Sequence, residues 1–145
     1  MENFEKRRFK ARRSEFAAVR AFVESVCRAL PPTDIECLVL ISEELFSNTI
    51  EHGYCRDCDD PVWLTVTAAA HGCTLTYQDA APAHDPFAHS TTPQLPADPQ
   101  KLPVGGLGVL LIGHFCTVKR YERRAEHNFI ELYVPLGGSR QAAGA

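Results

Sequence analysis

Residues 34–53 read DIECLVLISEELFSNTIEHG, and they predict one long helix that ends at Gly53. Glu44 and Asn48 lie four residues apart on one face of this helix, so both side chains can line a pocket. Ordinary solvated helices also carry this pair, so the spacing alone does not assign a site. Next to the pair, three apolar residues at helical spacing form a stripe that faces a core: Leu38, Ile41 and Leu45.

Helical and strand-like patterns flank this helix. Before it, residues 14–30 place apolar side chains at helical spacing and predict a first helix. After it, residues 62–67 alternate apolar and polar side chains, and a turn at His71 and Gly72 leads into a second strand that ends at Asp79. The pattern therefore predicts a β-hairpin whose last residue is a carboxylate.

The second half of the chain begins with a long polar segment. Residues 80–104 have no hydrophobic period, and loops of this length are usually functional lids or disordered. Glycines at 105–108 open a short apolar helix, and two strand-like runs follow at 116–121 and 128–134. This order predicts an α+β fold, a two-layer sandwich with helices on one face of a largely antiparallel, mixed sheet.

The composition is that of an ordinary globular domain, with 145 residues, 45% of them hydrophobic, and a net charge of −3. We expect one domain over residues 1–137 and a disordered tail over residues 138–145. The negative charge gives no general attraction for nucleic acid, and the basic run at residues 6–13 is typical of a solvated strand or tail. Because no run reaches the roughly 18 apolar residues that span a membrane and no signal peptide is present, we expect a cytoplasmic location.

Six cysteines are present, and in a reducing compartment they behave as small apolar residues. Cys55 and Cys58 have the spacing of a pair of metal ligands. The residues that could complete a zinc site with them are His52 and either His71 or Cys73. Since a second close pair of ligands is missing, zinc binding is the weaker interpretation.

Two features after the long helix suit a nucleotide. A carboxylate at a strand end, as at Asp79, can accept a hydrogen bond from an adenine amino group, and glycines at a helix N-terminus let backbone N–H groups approach phosphates. The alternative is a turn-capping aspartate and an ordinary glycine-rich turn. Signatures of P-loop, dinucleotide-binding and protein-kinase sites are absent from the sequence.

Four segments taken together resemble the anti-sigma-factor serine/threonine kinases, within the superfamily of histidine kinases, gyrases and Hsp90-type ATPases. The similarity runs from about Ser14 to Leu136, and its specificity lies in the four motifs occurring in order. The resemblance implies a Bergerat-type ATP-binding fold. The segments are ISEELFSNTIEHGY (41–54), YQDAAPAHDPF (77–87), GGLGVLLIGHF (105–115) and KRYERRAEHNFIELYVPL (119–136).

The resemblance also implies roles for individual residues. Glu44 matches the general base, Asn48 the residue that helps hold Mg²⁺ between the phosphates of ATP, and Asp79 the adenine-binding aspartate. The motif that ends the helix, His52-Gly53-Tyr54, is expected to be structural, with His52 packed on the apolar side. The second glycine motif, expected to close on the phosphates together with the preceding lid, comprises Gly105, Gly106, Leu107 and Gly108.

Members of that family use ATP to phosphorylate a serine or threonine of a STAS-domain antagonist protein, and they also bind a sigma factor. The resemblance thus implies a partner switch in which antagonist and sigma factor, or another regulatory target, compete, and a serine phosphatase resets the cycle. It is also compatible with a homodimer. It implies neither nucleic acid nor membrane as a partner.

Three positions depart from the family pattern. Asp79 is followed by two alanines where D-x-G is usual, Thr117 stands where an acid is frequent, and the last strand lacks the threonine that often backs the adenine aspartate. These departures keep open a second hypothesis, a partner-binding module without catalysis. A detached histidine-kinase ATPase domain is a third, which the lack of a preceding helix with a phospho-accepting histidine disfavours.

Overall fold

The computed structural model describes residues 3–87 and 112–136. Residues 112–115 are helical and precede the final hairpin. The strands are β1 (Asn3–Lys10), β2 (Pro61–Ala68), β3 (Gly72–Asp79), β4 (Val118–Arg124) and β5 (His127–Pro135). The helices are a 3-10 turn (Arg13–Glu15), α1 (Phe16–Val26), α2 (Pro32–Asn48) and a π-helical turn (Thr49–Gly53).

The five strands form one sheet in the order β1-β2-β3-β5-β4, and every pairing is antiparallel. The α+β fold class is confirmed. The basic run at residues 6–13 was expected to be a solvated strand or tail, and its first part belongs to β1, which pairs with β2 along its whole length. The basic run at residues 6–13 therefore begins as an edge strand, and charged side chains on an edge strand oppose pairing with other chains.

The core lies between one face of the sheet and the helices. Alternate residues of β2, β3 and β5 are buried, as the period-2 pattern predicts. Phe9 of β1 brings the edge strand into this core, with its ring in edge-to-face contact with those of Phe22 and Phe46 at centroid distances of 5.8 and 6.5 Å. The predicted stripe of α2 is confirmed, since Leu38, Ile41 and Leu45 are all buried.

The predicted long helix is present, but its last turn widens into a π-helix. Tyr54 N–H donates to the carbonyl of Thr49 at 2.8 Å, a bond across five residues, and such turns occur frequently at functional sites. The helical segment ends at Gly53 as predicted. The left-handed residue that follows is Cys55, with φ of 63°.

Several expectations fall outside the described residues. The 80–104 segment is described only as far as Phe87, and Gly105, Gly106, Leu107 and Gly108 and the tail at 138–145 are not described. In the described ranges, no helix is long and apolar enough to cross a membrane. Nor do three or more histidine, cysteine or acidic side chains within those ranges cluster as a metal site would require.

Candidate functional site

Asp79 ends β3 with its side chain fully buried, at 0% exposure. One carboxylate oxygen, Oδ1, accepts from Asn128 Nδ2 at 2.7 Å and from the backbone N–H of Ala81 at 3.1 Å. The other, Oδ2, accepts from the Thr49 hydroxyl at 2.8 Å. Burial raises the pKa of Asp79, but the hydrogen bonds and the nearby His84 outweigh it and hold the pKa below its ordinary value. Asp79 is therefore a preformed buried carboxylate.

The hydroxyl of Thr49 connects the end of α2 to this strand. Thr49 lies at the start of the π-helical turn and is 1% exposed. Its oxygen accepts from the Tyr77 hydroxyl at 2.6 Å while it donates to Asp79. Burial raises the pKa of Tyr77 far above its ordinary value, so Tyr77 stays a proton donor. The chain Tyr77–Thr49–Asp79 fixes the helix end to the sheet.

Asn128 lies on β5 directly opposite Asp79, and its side-chain amide donates to the same carboxylate. Its amide nitrogen also approaches the carbonyls of Ala81 and Pro82 at 3.2 and 3.1 Å. Its oxygen accepts from the Tyr121 hydroxyl at 2.6 Å and from Arg123 Nη1 at 3.0 Å. The asparagine therefore holds both the carboxylate of Asp79 and the turn after β3.

Glu44 and Asn48 lie on α2 and are half-buried. Neither side chain forms a hydrogen bond or ion pair with another residue in the described ranges. Burial, reinforced by the neighbouring charge of Glu51, raises the pKa of Glu44, although His52 opposes this. Asn48 directly precedes Thr49, whose hydroxyl donates to Asp79, so the C-terminal end of α2, which carries Asn48, is joined to the strand end that carries the buried carboxylate.

The neighbouring polar residues of α2 are engaged elsewhere. Glu43 forms an ion pair with Arg20 at 3.5 Å, and Glu51 accepts from the Ser47 hydroxyl at 3.4 Å. Glu44 thus differs from these two acids, since its carboxylate forms no hydrogen bond or ion pair within the described residues. A free, half-buried carboxylate with a raised pKa has the properties of a general base.

In the motif His52-Gly53-Tyr54, the position of His52 differs from the prediction and the role of Tyr54 agrees with it. The prediction that His52 packs on the apolar side is wrong: its side chain is 69% exposed, because the wider π-helical turn changes the direction of residues after Asn48. Tyr54 has the expected structural role, since its hydroxyl donates to the carbonyl of Pro61 at 2.8 Å and accepts from the N–H of Ala80 at 3.0 Å.

Sequence reasoning missed three residues of the site: Thr49, Asn128 and His84. His84 Nε2 lies 3.5 Å from Asp79 Oδ2 without hydrogen-bond geometry. Thr49 had a sequence signal, because it follows Asn48 on a helix whose end must meet the sheet. Asn128 is a polar residue in a strand that otherwise alternates apolar residues inward, and that break in the pattern could have identified it.

Comparison with known proteins identifies the family of the chain. No curated protein matches the chain in a sequence search. A family model described as the histidine kinase-like ATPase domain matches residues 9–134, a range that includes Glu44, Asn48, Asp79 and Asn128. The chain belongs to the histidine kinase-like ATPase domain family.

Proposed function

We propose that this protein is an ATP-dependent serine/threonine kinase of the anti-sigma type, which phosphorylates a STAS-domain antagonist and sequesters a sigma factor or equivalent target. The proposal is supported by the preformed carboxylate of Asp79 and by Glu44 and Asn48 of α2, whose half-buried side chains form no hydrogen bond or ion pair within the described residues. Family membership supplies ATP binding, and the free acid supplies a base.

The proposed roles follow from what each group can do. Asp79, ionised and hydrogen-bonded, is an acceptor for the adenine amino group. Glu44, with a raised pKa, can accept the proton of the attacking hydroxyl. These two tasks need different chemistry, and the structure gives the two carboxylates different environments.

Magnesium fits the free groups of α2. Mg²⁺ prefers oxygen ligands and keeps several waters while it binds substrate phosphates, and the amide oxygen of Asn48 has no competing hydrogen bond within the described residues. When bound, the ion would neutralise charge on the phosphates. In the proposal, Asn48 contributes its oxygen, and the glycines at 105, 106 and 108 with Leu107 contribute backbone N–H groups.

The partners are proposed by similarity to the anti-sigma kinases. The antagonist would present a serine or threonine hydroxyl, and a serine phosphatase would reverse its modification, all in the cytoplasm. Homodimerisation belongs to the same proposal.

Phosphotransfer with Glu44→Gln tests the catalytic part. The purified chain, Mg-ATP and a cognate STAS-domain protein should give phosphoserine or phosphothreonine by mass spectrometry. We expect Glu44→Gln to lower the single-turnover rate by about 100-fold or more while nucleotide affinity is retained, since loss of a positioned base typically costs a factor of this order. The matched control is Glu43→Gln, because Glu43 is paired with Arg20; equal rates for the two variants would remove Glu44 from the base role.

A second candidate function is a binding module without catalysis. It is favoured by one observation, the complete burial of Asp79 beneath protein donors. Calorimetry with ATP and ADP in the presence of Mg²⁺ separates the two functions. A folded chain that binds a partner but no nucleotide would establish the binding module.

A further inference from the structure

His84 is the one described residue with a buried side-chain nitrogen or oxygen that lacks a hydrogen-bond partner. The atom is Nε2, and it lies 3.5 Å from Oδ2 of Asp79. The imidazole as a whole is 17% exposed, so it lies between the buried carboxylate and solvent. An orphaned ring nitrogen beside an ionised carboxylate requires an explanation.

The hydrogen bonds of Asp79 show which position the imidazole covers. A carboxylate has about four acceptor positions, two on each oxygen. Asn128 and the Ala81 N–H fill those of Oδ1, and Thr49 fills one of Oδ2. Among the described residues, the position that no donor fills is on Oδ2, the oxygen that His84 approaches. An incoming amino group has this position left to use.

The side chain of His84 can leave without disturbing the rest of the site. Its backbone N–H is held at 3.4 Å by the side-chain oxygen of Asn128, while the described residues give the ring nitrogen Nε2 no hydrogen bond and only the 3.5 Å approach to Oδ2 of Asp79. A methyl group at Gly53 would lie 3.1 Å from Nε2, so the ring lies directly against the end of the α2 segment. Rotation of one side chain would thus expose Oδ2.

We propose that His84 competes with the nucleotide for the carboxylate of Asp79. The amino group of adenine must displace the imidazole to reach the carboxylate, and His84 thereby sets the affinity for nucleotide. This inference rests on the proposed nucleotide-binding function. It assigns to His84 an effect on binding, and it leaves the transfer of the phosphoryl group to α2. The free energy needed to displace the imidazole weakens the binding of any adenine nucleotide.

The test is calorimetric titration of ADP with Mg²⁺ into the wild-type chain and His84→Ala. We expect His84→Ala to bind ADP about tenfold more tightly, the value of one released contact to a charged group. His71→Ala is the matched control, since His71 is an exposed histidine in the β2–β3 turn, and it should bind like the wild type. His84→Phe, which keeps the ring but has no nitrogen to attract the carboxylate, should also bind more tightly and serves if the alanine variant is unstable.

Inosine diphosphate makes the test specific for the amino group. It carries a carbonyl where adenine has its amino group and has no donor at that position, so we expect no comparable gain with His84→Ala. An equal gain for both nucleotides, or unchanged or weaker ADP binding by His84→Ala, would overturn the inference and leave the proposed function intact. Failure of every folded variant, including the wild type, to bind ADP would overturn the nucleotide-binding function and, with it, this role of His84.

Discussion

Replacement of Asn128 by alanine should lower the free energy of unfolding strongly. Asn128 is 1% exposed, and its amide donates to the ionised Asp79 at 2.7 Å. A hydrogen bond to a charged group contributes about 1.5–3 kcal/mol, more than a neutral one. The carbonyls of Ala81 and Pro82 lose the same donor, so we expect Asn128→Ala to lower the free energy of unfolding by about 3 kcal/mol.

Urea unfolding at pH 7 measures this loss. The single tryptophan, Trp63, lies on β2 and stacks on His127 of β5 at a centroid distance of 5.4 Å, so its fluorescence reports on the sheet that carries Asp79 and Asn128. The free energies come from linear extrapolation, with the slope checked for constancy between variants.

Asn48→Ala is the matched control, because it removes the same side chain from a half-buried position without a hydrogen-bond partner in the described residues. We expect its free energy of unfolding to stay within about 0.5 kcal/mol of the wild type. Its effect should instead be on binding, where the gain in ADP affinity that Mg²⁺ gives the wild type should disappear. A loss below about 1 kcal/mol for Asn128→Ala, or an equal loss for the two variants, would refute the reasoning, since hydrogen bonding to Asp79 would then contribute little.

Three further predictions concern protonation and the last hairpin. The pKa of Asp79 is held below 3.8 in the folded state. Its ionised form therefore stabilises the fold above pH 3.8, and this stabilisation is lost as the pH falls through the folded pKa. The difference in free energy of unfolding between wild type and Asp79→Asn, measured by urea unfolding, should narrow below pH 3.8. The pKa of Glu44 is raised above 4.5 in the folded state, so the charge of Glu44 destabilises the fold above that folded pKa. Glu44→Gln should therefore raise the urea concentration at the midpoint of unfolding at neutral pH. This increase should vanish below pH 4.5. The β4–β5 turn has φ of 51° at Ala125 and 64° at Glu126, as a two-residue type I′ turn requires, so Ala125→Asn with Glu126→Gly should add about 1 kcal/mol to stability, seen as a higher melting temperature.

The sequence predicted the elements whose patterns are local. The helical stripe of α2 and the alternation in β2 each repeat within a few residues, and both are present at the expected places. β1 lacked such a pattern because only Phe9 among its described side chains is buried, and the charges at Lys6 and Arg8 mask it. An edge strand needs few buried residues, so pairing with β2 identifies it where composition does not.

The candidate site divides in the same way. Glu44, Asn48 and Asp79 could be proposed from a helix period and a strand end together with the family resemblance. Asn128 could not be placed beside Asp79 from sequence alone, since the two are 49 residues apart and meet only through the register of β3 with β5. A shift of one residue in that register would turn the amide to the other face of the sheet. Partners of a buried carboxylate therefore depend on long-range pairing that local patterns do not contain.

The alanine at position 81 is explained by the helix end opposite it. The family pattern that the sequence resembles usually has glycine there. In the structure Ala81 is fully buried, and a methyl group added at Gly53 would lie 3.0 Å from its Cβ. The methyl group of Ala81 therefore packs against the bare backbone of Gly53, while the N–H of Ala81 still reaches Asp79 at 3.1 Å. Since Gly53 has no side chain, the turn after β3 keeps its hydrogen bond to the carboxylate with alanine in the place of glycine.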